Sequence, residues 1–489
     1  MSRRPLLSDD DRRQIAAHGL SEGEVLRQAA LLKNPPPPVR LLRPATVGDG
    51  IVQIGSGQYA ELLARWEKAA RAGRLMKFVP ASGAATRMFA GLTGSEEEKE
   101  RKREGDRTRE SQEDKEGRGA REFFEKKGGK RAREFLEGVW RFPFFDELAR
   151  ACQARGIGLE RSIASGAFEE ILPVLLSPPP SGLGYESMPK ALIPFHRYPS
   201  GPRTPFEEHL EEALATVRDD EGRCRLHFTV PPEWQERFED LLKSVRPALE
   251  SANGATLDVS FSSQAPSTDT VALDAEKRLF RRRDGSLLFR PGGHGALLPN
   301  LEATRGDLVF VKNIDNVQPA ARRDGTLLWK KLLAGFLVET LERLGDPGRP
   351  VRVCGVVRNE GEPGGGPFWV ADETGSPSLQ IVEGSQVDDA DPSQAAVWKA
   401  STHFNSVDLV CALRAPDGSQ YPLDDFVDPA TVYVARKEQD GRILRALERP
   451  GLWNGAMARW HTLFVEVPIE TFTPVKTIFD LLRPEHQPG

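Results

Sequence analysis

The sequence predicts an α/β fold with a mostly parallel sheet and helices on both of its faces. Apolar segments of strand length alternate with segments of helical periodicity over about 400 of the 489 residues. Parallel strands need crossover connections, and the alternating helices supply them. No internal repeat interrupts the alternation. The length allows one large α/β domain with additions, or two to three domains.

Composition and charge narrow the class of protein. The chain is 39% hydrophobic and 28% charged, with a net charge of -5 at pH 7. A large core is therefore possible, and a surface devoted to nucleic acid is disfavoured. Four widely spaced cysteines indicate buried thiols of a reducing compartment. The N-terminus lacks the apolar region of a secretory signal, and no run of about 18 apolar residues could span a membrane, so we expect a cytoplasmic protein.

The N-terminal residues predict two short helices and a stiff linker. Ser8 or Asp9 could cap the first helix, and Ser21 the second, with Glu24 completing a capping box. The four prolines at 35–38 form the linker.

A charged insertion occupies residues 95–130, which are nearly all Glu, Lys, Arg, Asp and Gly. Such a composition cannot bury enough apolar surface to fold alone, so we expect a solvated helix or a disordered loop. A nucleic-acid-binding arm fits less well, because both signs of charge are mixed.

The stretch 77–88 predicts a strand, a tight turn and a helix. Leu75 to Val79 has strand length, 81–85 is a run of small residues, and Met88 begins a helical pattern. Small residues let a ligand approach the backbone, and N–H groups at a helix start bind anions. Arg87 could hold phosphate with two hydrogen bonds. The alternative is a close-packed turn without a ligand.

Two later helices have clear sequence signals. Thr204 should cap a helix that has Pro205 in its first turn and Glu207 in a capping box. A second helix should run from Glu233 to Val245, because Pro247 disfavours helical geometry in the residue before it.

Polar residues stand in loops at several further points. Lys190 follows Pro189 and is either held in a rigid loop or exposed to solvent. His294 lies among three glycines, which form either a loop that presses against a flat ring or a plain turn. Three other residues, taken singly, fit ordinary surface roles: Glu383, Asn405 and Lys476.

Residues 307–316 predict a buried strand that ends in polar side chains. In an open parallel sheet, ligands bind at the carboxyl ends of the strands. Asp315 is therefore well sited for a hard cation that bridges phosphates. Alternatively, Asp315 or Asn316 caps the following helix.

In their order along the chain, these motifs resemble those of sugar-nucleotide pyrophosphorylases, especially the uridylyltransferases that make UDP-glucose and UDP-N-acetylglucosamine. The matching stretches are Ser82–Met88, Pro189–Lys190, Gln264, Pro291–Gly295, Asn313–Asn316, Ile381–Glu383, His403–Asn405 and Pro474–Leu482. The resemblance covers about residues 75–483. The whole chain is most similar to a bacterial family described only as a domain of unknown function.

The resemblance implies a Rossmann-like three-layer αβα sandwich of the nucleotide-diphospho-sugar transferase (GT-A-like) type, with a mostly parallel mixed sheet. It also implies a Mg²⁺-dependent enzyme that joins a sugar 1-phosphate to a nucleoside triphosphate, with UTP favoured, and releases pyrophosphate. No nucleic-acid or membrane partner is implied, and the motifs specify neither the sugar nor the oligomeric state. The expected domains are 1–44 as an extension, 45–400 as the catalytic domain and 401–489 as the part that completes the site.

Individual roles follow from the same resemblance. Arg87, Lys190 and Lys476 are expected to be catalytic, and Asp315 is expected to bind the metal. The expected nucleotide-binding residues are Ala81, Ser82, Gly83, Ala84, Ala85, Thr86, Gln264, Gly292, Gly293, His294 and Gly295. The expected sugar-binding residues are Asn316, Glu383, His403 and Asn405.

Ala84 and Ala85 depart from the family's loop, which is richer in glycine. Their methyl groups either crowd a triphosphate or reshape the loop. Three other functions stay open: a nucleotide-binding protein without turnover, a glycosyltransferase on the same fold, and a scaffold that docks through the insertion. A glycosyltransferase would need an Asp-x-Asp motif, whereas Asn313 to Asp315 offers a single carboxylate.

Overall fold

The computed structural model describes residues 7–93, 128–361, 364–372 and 374–488. The charged insertion predicted at 95–130 lies outside these ranges except for residues 128–130, which begin a helix. No helix in the described ranges is long and apolar enough to cross a membrane. All four cysteines are buried free thiols, as predicted.

Thirteen α-helices lie in the described residues. In chain order they are α1 Asp9–Ala17, α2 Glu22–Lys33, α3 Tyr59–Arg71, α4 Thr86–Thr93, α5 Gly128–Gly138, α6 Phe145–Gln153, α7 Leu159–Ser165, α8 Phe168–Leu176, α9 Pro205–Thr216, α10 Gln235–Asn253, α11 Leu298–Ala303, α12 Asp324–Leu344 and α13 Pro392–Lys399.

Eighteen β-strands accompany them in the same part of the chain. They are β1 Leu41–Pro44, β2 Thr46–Val47, β3 Gly50–Val52, β4 Leu75–Pro80, β5 His196–Tyr198, β6 Gly201–Arg203, β7 Arg223–Thr229, β8 Thr256–Ser262, β9 Thr270–Leu273, β10 Phe289–Arg290, β11 Leu308–Lys312, β12 Val351–Arg358, β13 Gly366–Ala371, β14 Pro377–Val382, β15 His403–Ala412, β16 Tyr433–Gln439, β17 Arg442–Glu448 and β18 His461–Glu466.

The central sheet has nine strands in the order β2-β3-β18-β12-β15-β11-β4-β7-β8. Every neighbouring pair is parallel except the two pairs made by β15, which runs antiparallel to both β12 and β11. The predicted mostly parallel sheet is confirmed. Because β4, β7, β8 and β11 are mutually parallel, the loops that follow them leave the sheet at one edge.

Alternation along β11 shows how the sheet divides the core. Leu308 and Phe310 pack on one face, which α3, α9, α10 and α12 cover. Val309 and Val311 pack on the other face, against α11 and irregular segments. Helices α4–α8 form a separate aromatic core around residues such as Phe144. Helices α1 and α2 pack on a smaller sheet of order β10-β9-β17-β16.

Helix caps followed the sequence signals in most cases. Ser8 caps α1 and Thr204 caps α9 in a reciprocal capping box. Ser21 caps α2 as predicted, but the predicted capping box with Glu24 is wrong. The Glu24 carboxylate accepts hydrogen bonds from Arg27 at 2.7 and 2.8 Å instead, so it does not reach back to the cap.

The predicted end of the helix at Val245 is also wrong, since α10 continues through Pro247 to Asn253. A proline removes one backbone hydrogen bond, here to the carbonyl of Lys243. Both Pro247 and Lys243 are exposed, so water can replace the lost donor. The helix stops where Gly254 adopts a left-handed conformation, with φ of 55°.

Helices α3 and α12 approach so closely that only glycine fits at residue 335. A Cβ on Gly335 would lie 2.0 Å from the Leu62 carbonyl oxygen. We expect Gly335→Ala to lower the free energy of unfolding by about 1–3 kcal/mol or more, because backbone must move to accept the methyl group. Urea unfolding measures the change.

Gly325→Ala is the matched control in the same helix, because a Cβ there meets nothing within 4 Å. It should leave stability unchanged or raise it by up to about 1 kcal/mol. Equal losses in the two variants would contradict the packing explanation.

Candidate active site

A loop of small residues follows the central strand β4. Ala81 and Ala85 are fully buried, whereas Ser82, Gly83 and Ala84 are exposed between them. The methyl group of Ala85 therefore packs into the core formed by α4–α8. Of the two alanines, Ala84 is the one that presents its methyl group outward.

The predicted Pro-Lys segment is hydrogen-bonded to this loop. Lys190 donates its backbone N–H to the Gly83 carbonyl at 3.1 Å, and Ala85 donates to the Met188 carbonyl at 2.9 Å. The Thr86 hydroxyl donates to the Glu186 carbonyl at 3.1 Å. These bonds hold the two segments together although the helices α4–α8 separate them in sequence.

Asp315 brings the two predicted catalytic lysines together. Its Oδ2 atom lies 3.1 Å from Nζ of Lys190 and 3.2 Å from Nζ of Lys476. Lys190 also donates to the Val475 carbonyl at 2.9 Å, and Val475 donates its N–H to the Asp315 carbonyl at 3.0 Å. We call Lys190, Asp315 and Lys476 the Asp315 triad.

The triad carries one carboxylate against two ammonium groups, so its three side chains together have a net positive charge. Although burial alone would raise the pKa of Asp315, the neighbouring Lys476 and Lys190 hold it below its ordinary value. Burial lowers the pKa of Lys190, and the charge of Asp315 opposes that effect. The Lys476 side chain is 57% exposed, so this charge is accessible to an incoming anion.

Arg87 lies in the first turn of α4 and is exposed. Its side chain makes no ion pair or hydrogen bond with any other residue in the described ranges. Arg87 is therefore a further cation free to bind an anion beside the exposed loop.

The side chain of Asn316 holds the backbone of the neighbouring segment 471–473. Its side chain is almost fully buried. Its Oδ1 accepts from Thr473 N–H at 3.0 Å and its Nδ2 donates to the Thr471 carbonyl at 3.4 Å. Both ends of the amide therefore hold the segment that leads to Lys476, and the sugar contact predicted for Asn316 stays a prediction.

The glycine loop at 292–295 sits tightly against neighbouring backbone. A Cβ on Gly292 would lie 2.6 Å from the Thr268 carbonyl, and one on Gly295 would lie 1.9 Å from the Pro450 carbonyl. Gly293 has φ of 78°, which favours glycine. The three glycines thus serve close packing, and they fix the backbone on either side of His294.

His294 stacks on Trp453, with ring centroids 4.3 Å apart and planes 7° from parallel. Its Nδ1 accepts from Leu452 N–H at 2.8 Å, so Nε2 carries the proton of the neutral ring. Burial lowers the pKa of His294 to about 4. Nε2 lies 4.0 Å from Glu383 Oε1.

Glu383 is held by a residue that sequence analysis did not single out. Asn454 donates Nδ2–H to Glu383 Oε1 at 3.1 Å and also contacts the hydroxyl of Tyr433. Burial raises the pKa of Glu383. We call His294, Glu383, Trp453 and Asn454 the His294 group. The Pro-Gly step before Trp453 is the sequence signal that could have indicated this loop.

His403 and Asn405 lie near the same edge. His403 Nε2 is 3.3 Å from Glu466 Oε1, and Asn405 donates its backbone N–H to the Gly365 carbonyl at 2.9 Å. A Cβ on Gly365 would lie 3.2 Å from Cγ of Glu383. Asn405 therefore adjoins the segment that carries Glu383.

Strand register places both groups at one edge of the sheet. Lys312, the last residue of β11, pairs with Asp408 of the antiparallel strand β15. Because β15 runs antiparallel to β11, the residues before Asp408 lie beyond the C-terminal end of β11. His403 and Asn405 therefore lie at the same end of β11 as Asp315. Gln264 follows β8 at the same edge of the sheet, and its Nε2 donates a hydrogen bond to Asp269 Oδ1 at 3.2 Å.

A buried network of charges lies at the end of β11, just before Asp315. Glu212 lies 2.7 Å from Lys77 and 3.1 Å from Lys312, and Asp408 lies 2.9 Å from Lys330 and 3.5 Å from Lys312. All five side chains are buried. Burial lowers the pKa of Lys77 to about 7. Sequence analysis missed this network, because its members come from five separate elements.

Solved structures of other proteins share this fold. Uridine diphosphate N-acetylglucosamine pyrophosphorylase from Trypanosoma brucei, solved in complex with an inhibitor, is 14% identical and aligns over 97% of this chain and 79% of its own, with a TM-score of 0.50. UDP-glucose phosphorylase from Trypanosoma brucei is 13% identical and aligns over 98% and 80%, with a TM-score of 0.50. This chain therefore has the fold of the UDP-sugar pyrophosphorylases.

The chain belongs to the family described as "Domain of unknown function (DUF4301)", whose model matches residues 8–347 and 341–487. No curated protein gives a significant match. The resemblance predicted from the motif order is confirmed for both the family and the fold.

Glu212 should be essential to the buried network. Glu212→Gln leaves three buried lysines with Asp408 as their one carboxylate, so we expect the free energy of unfolding to fall by about 3–5 kcal/mol. Urea unfolding measures this. Glu342→Gln is the control, because that carboxylate forms an exposed pair with Arg65 and should change stability by less than about 1 kcal/mol. A loss for Glu212→Gln no larger than the control's would show that the network is unimportant.

Asp315→Asn should change how anion binding depends on pH. Asp315 opposes the effect of burial on Lys190, so its removal lowers the pKa of Lys190 further. The ammonium then loses its proton at a lower pH, and affinity for pyrophosphate should decline earlier as the pH rises. Calorimetric titrations with pyrophosphate between about pH 7 and 10 measure this.

Asp307→Asn, at the opposite end of β11, is the control. Its affinity for pyrophosphate should depend on pH as that of the wild-type protein does. An unchanged pH midpoint in Asp315→Asn would mean that Asp315 does not sustain the charge of Lys190.

Proposed function

We propose that this protein is a nucleotidyltransferase that joins a sugar 1-phosphate to a nucleoside triphosphate, with UTP favoured, and releases pyrophosphate. The observation that carries the proposal is the Asp315 triad beside the exposed loop 82–84. The Lys190 backbone is hydrogen-bonded to this loop at Gly83, and Arg87 follows the loop in the first turn of α4 with an exposed side chain. The similarity of this fold to that of the UDP-sugar pyrophosphorylases also supports a nucleotidyltransferase. We propose that the fold is of the nucleotide-diphospho-sugar transferase (GT-A-like) type.

In the proposed reaction, a phosphate oxygen of the sugar 1-phosphate attacks the α-phosphorus and pyrophosphate leaves in line. The attacking oxygen is already ionised, so no general base is needed. Arg87 and the loop backbone would hold the β- and γ-phosphates, Lys190 would neutralise the triphosphate, and Lys476 would meet the sugar phosphate. Positioning and charge neutralisation then supply the catalysis.

The His294 group would form the base and sugar side of the site. Gln264 and the loop 292–295 would contact the base, with the neutral, stacked His294 offering a flat edge. Glu383 would accept hydrogen bonds from sugar hydroxyls, and Asn405 would donate to them. His403 and Asn316 would lie beside these residues on the sugar side of the site.

Magnesium fits this site in one restricted way. The described residues hold no cluster of three or more His, Cys, Asp or Glu side chains that could bind a metal by themselves. Asp315 nevertheless offers a suitable oxygen donor, and Mg²⁺ commonly binds one or two carboxylates together with substrate phosphates. Asp315 would then be a protein ligand of Mg²⁺ that arrives with the triphosphate. When bound, the ion would neutralise phosphate charge and act as a Lewis acid.

A binding protein without turnover is the second candidate, favoured by the exposed methyl group of Ala84 in the loop. It predicts saturable nucleotide binding without pyrophosphate release. Ala84→Gly distinguishes the two, because release that appears only in this variant would show that the native loop blocks the reaction.

The test is pyrophosphate release from each nucleoside triphosphate with Mg²⁺ and a panel of sugar 1-phosphates. We expect release with one pair, and about a 10²–10³-fold loss of turnover in Lys476→Ala and Asp315→Ala, by analogy with the removal of a transition-state hydrogen-bond donor.

Lys243→Ala, which removes an exposed lysine of α10, should keep full turnover. Nucleotide binding without release from any pair would reject the transferase and favour the binding protein. Unchanged turnover in Asp315→Ala would reject its role as a metal ligand.

A further inference from the structure

A cavity of about 580 Å³ lies between the proline segment 35–38 and the hairpin formed by β16 and β17. One lining residue, Tyr433, contacts Asn454 of the His294 group, so the cavity adjoins the candidate active site. Its wall includes apolar side chains of the hairpin, Val434 and Ile443, and the prolines opposite. Its polar wall contains Arg436, Arg445 and Lys277. None of these residues belongs to the Asp315 triad or to the His294 group.

Arg436 and Arg445 are directly opposed across the two antiparallel strands, so both lie on the same face of the hairpin. Like charges in this arrangement repel each other and destabilise a sheet. Neither guanidinium has a carboxylate within ion-pair distance in the part of the chain that the structure describes, and the same holds for Lys277. Arg281, near the same sheet, is by contrast paired with Asp11 at 2.7 Å.

Asp274 is the carboxylate that lines the cavity, and it is already engaged. Its Oδ1 accepts from the Arg278 backbone N–H at 2.8 Å and its Oδ2 accepts from Arg278 Nε at 3.0 Å. Lys277, in the same turn, has φ of 60°, a conformation that is uncommon for a residue other than glycine. The turn therefore satisfies Asp274 internally and leaves Lys277 at the cavity wall.

We propose that this cavity is a binding site for a small organic phosphate with an apolar body. Two guanidinium groups on one face can hold a phosphate with paired hydrogen bonds, and the third cation balances its charge. The prolines and the aliphatic side chains would pack against the apolar part of the ligand. The repulsion between Arg436 and Arg445 is relieved when the phosphate binds. This inference does not depend on the proposed nucleotidyltransferase reaction.

Phenyl phosphate and inorganic phosphate are the probes, titrated into the full chain by calorimetry. We expect phenyl phosphate to bind more tightly than inorganic phosphate, because it also fills the apolar part of the cavity. Arg436→Gln should weaken phenyl phosphate binding about ten- to a hundredfold. Lys437→Gln is the control, because Lys437 has the same charge and strand but lies on the opposite face, where it pairs with Glu448. Lys476→Ala, in the active site, should also leave binding unchanged.

The Tm of Arg436→Glu distinguishes a binding role for Arg436 from a structural one. A glutamate opposite Arg445 replaces repulsion by a cross-strand ion pair, so this variant should have a higher Tm while it loses phenyl phosphate binding. Three binding results would overturn the proposal: no saturable phenyl phosphate binding by the wild-type chain, equal weakening by Arg436→Gln and Lys437→Gln, or loss of binding in Lys476→Ala. A lower Tm for Arg436→Glu would equally contradict it, because Arg436 would then have a structural partner.

Discussion

The buried charges of Lys77, Glu212, Lys312, Lys330 and Asp408 constrain how the sheet and its helices can be arranged. Each residue comes from a different element, namely β4, α9, β11, α12 and β15. Buried ions are tolerated only when each keeps close partners. Since the two carboxylates are shared among three ammonium groups, no one of the five elements can shift without leaving a charge unpaired. This requirement fixes the ends of the strands that carry the site.

The network also connects to the loop that bears Asp315. His209, one turn before Glu212 on α9, donates Nε2–H to the Ile314 carbonyl at 3.3 Å. Burial and the nearby lysines hold the pKa of His209 well below its ordinary value, so the ring is neutral and this donor is stable across physiological pH. The backbone beside Asp315 is therefore held by a hydrogen bond from the core residue His209. The Asp315 side chain is held by Lys190 and Lys476. A site built in this way needs little rearrangement to receive an anion.

Local signals in the sequence predicted the local parts of the structure well. The strand, small-residue loop and helix around residues 75–93 depend on apolar periodicity and residue size, which are visible in the sequence itself. The order of motifs also indicated that Lys190, Asp315 and Lys476 belong to one site, and the structure brings them together. Two kinds of feature escaped prediction. Pro247 was expected to end a helix, but exposure lets water replace the lost bond. The partners Lys77 and Glu212 are 135 residues apart, and no local pattern distinguishes a buried lysine from a surface one.

The position of β18 in the sheet affects how the protein can be made. This strand, formed by residues 461–466, lies between β3 and β12, and Lys476 follows it. During synthesis, β3 has no neighbour on that side until residues 461–466, about 400 residues later in the sequence, have left the ribosome, and the Asp315 triad lacks one member until Lys476 follows. Contacts between such distant segments slow folding and leave strand edges exposed in the nascent chain. A ribosome-bound chain of this protein is thus expected to stay without a finished sheet until β18 emerges, and in that interval it most needs protection from aggregation.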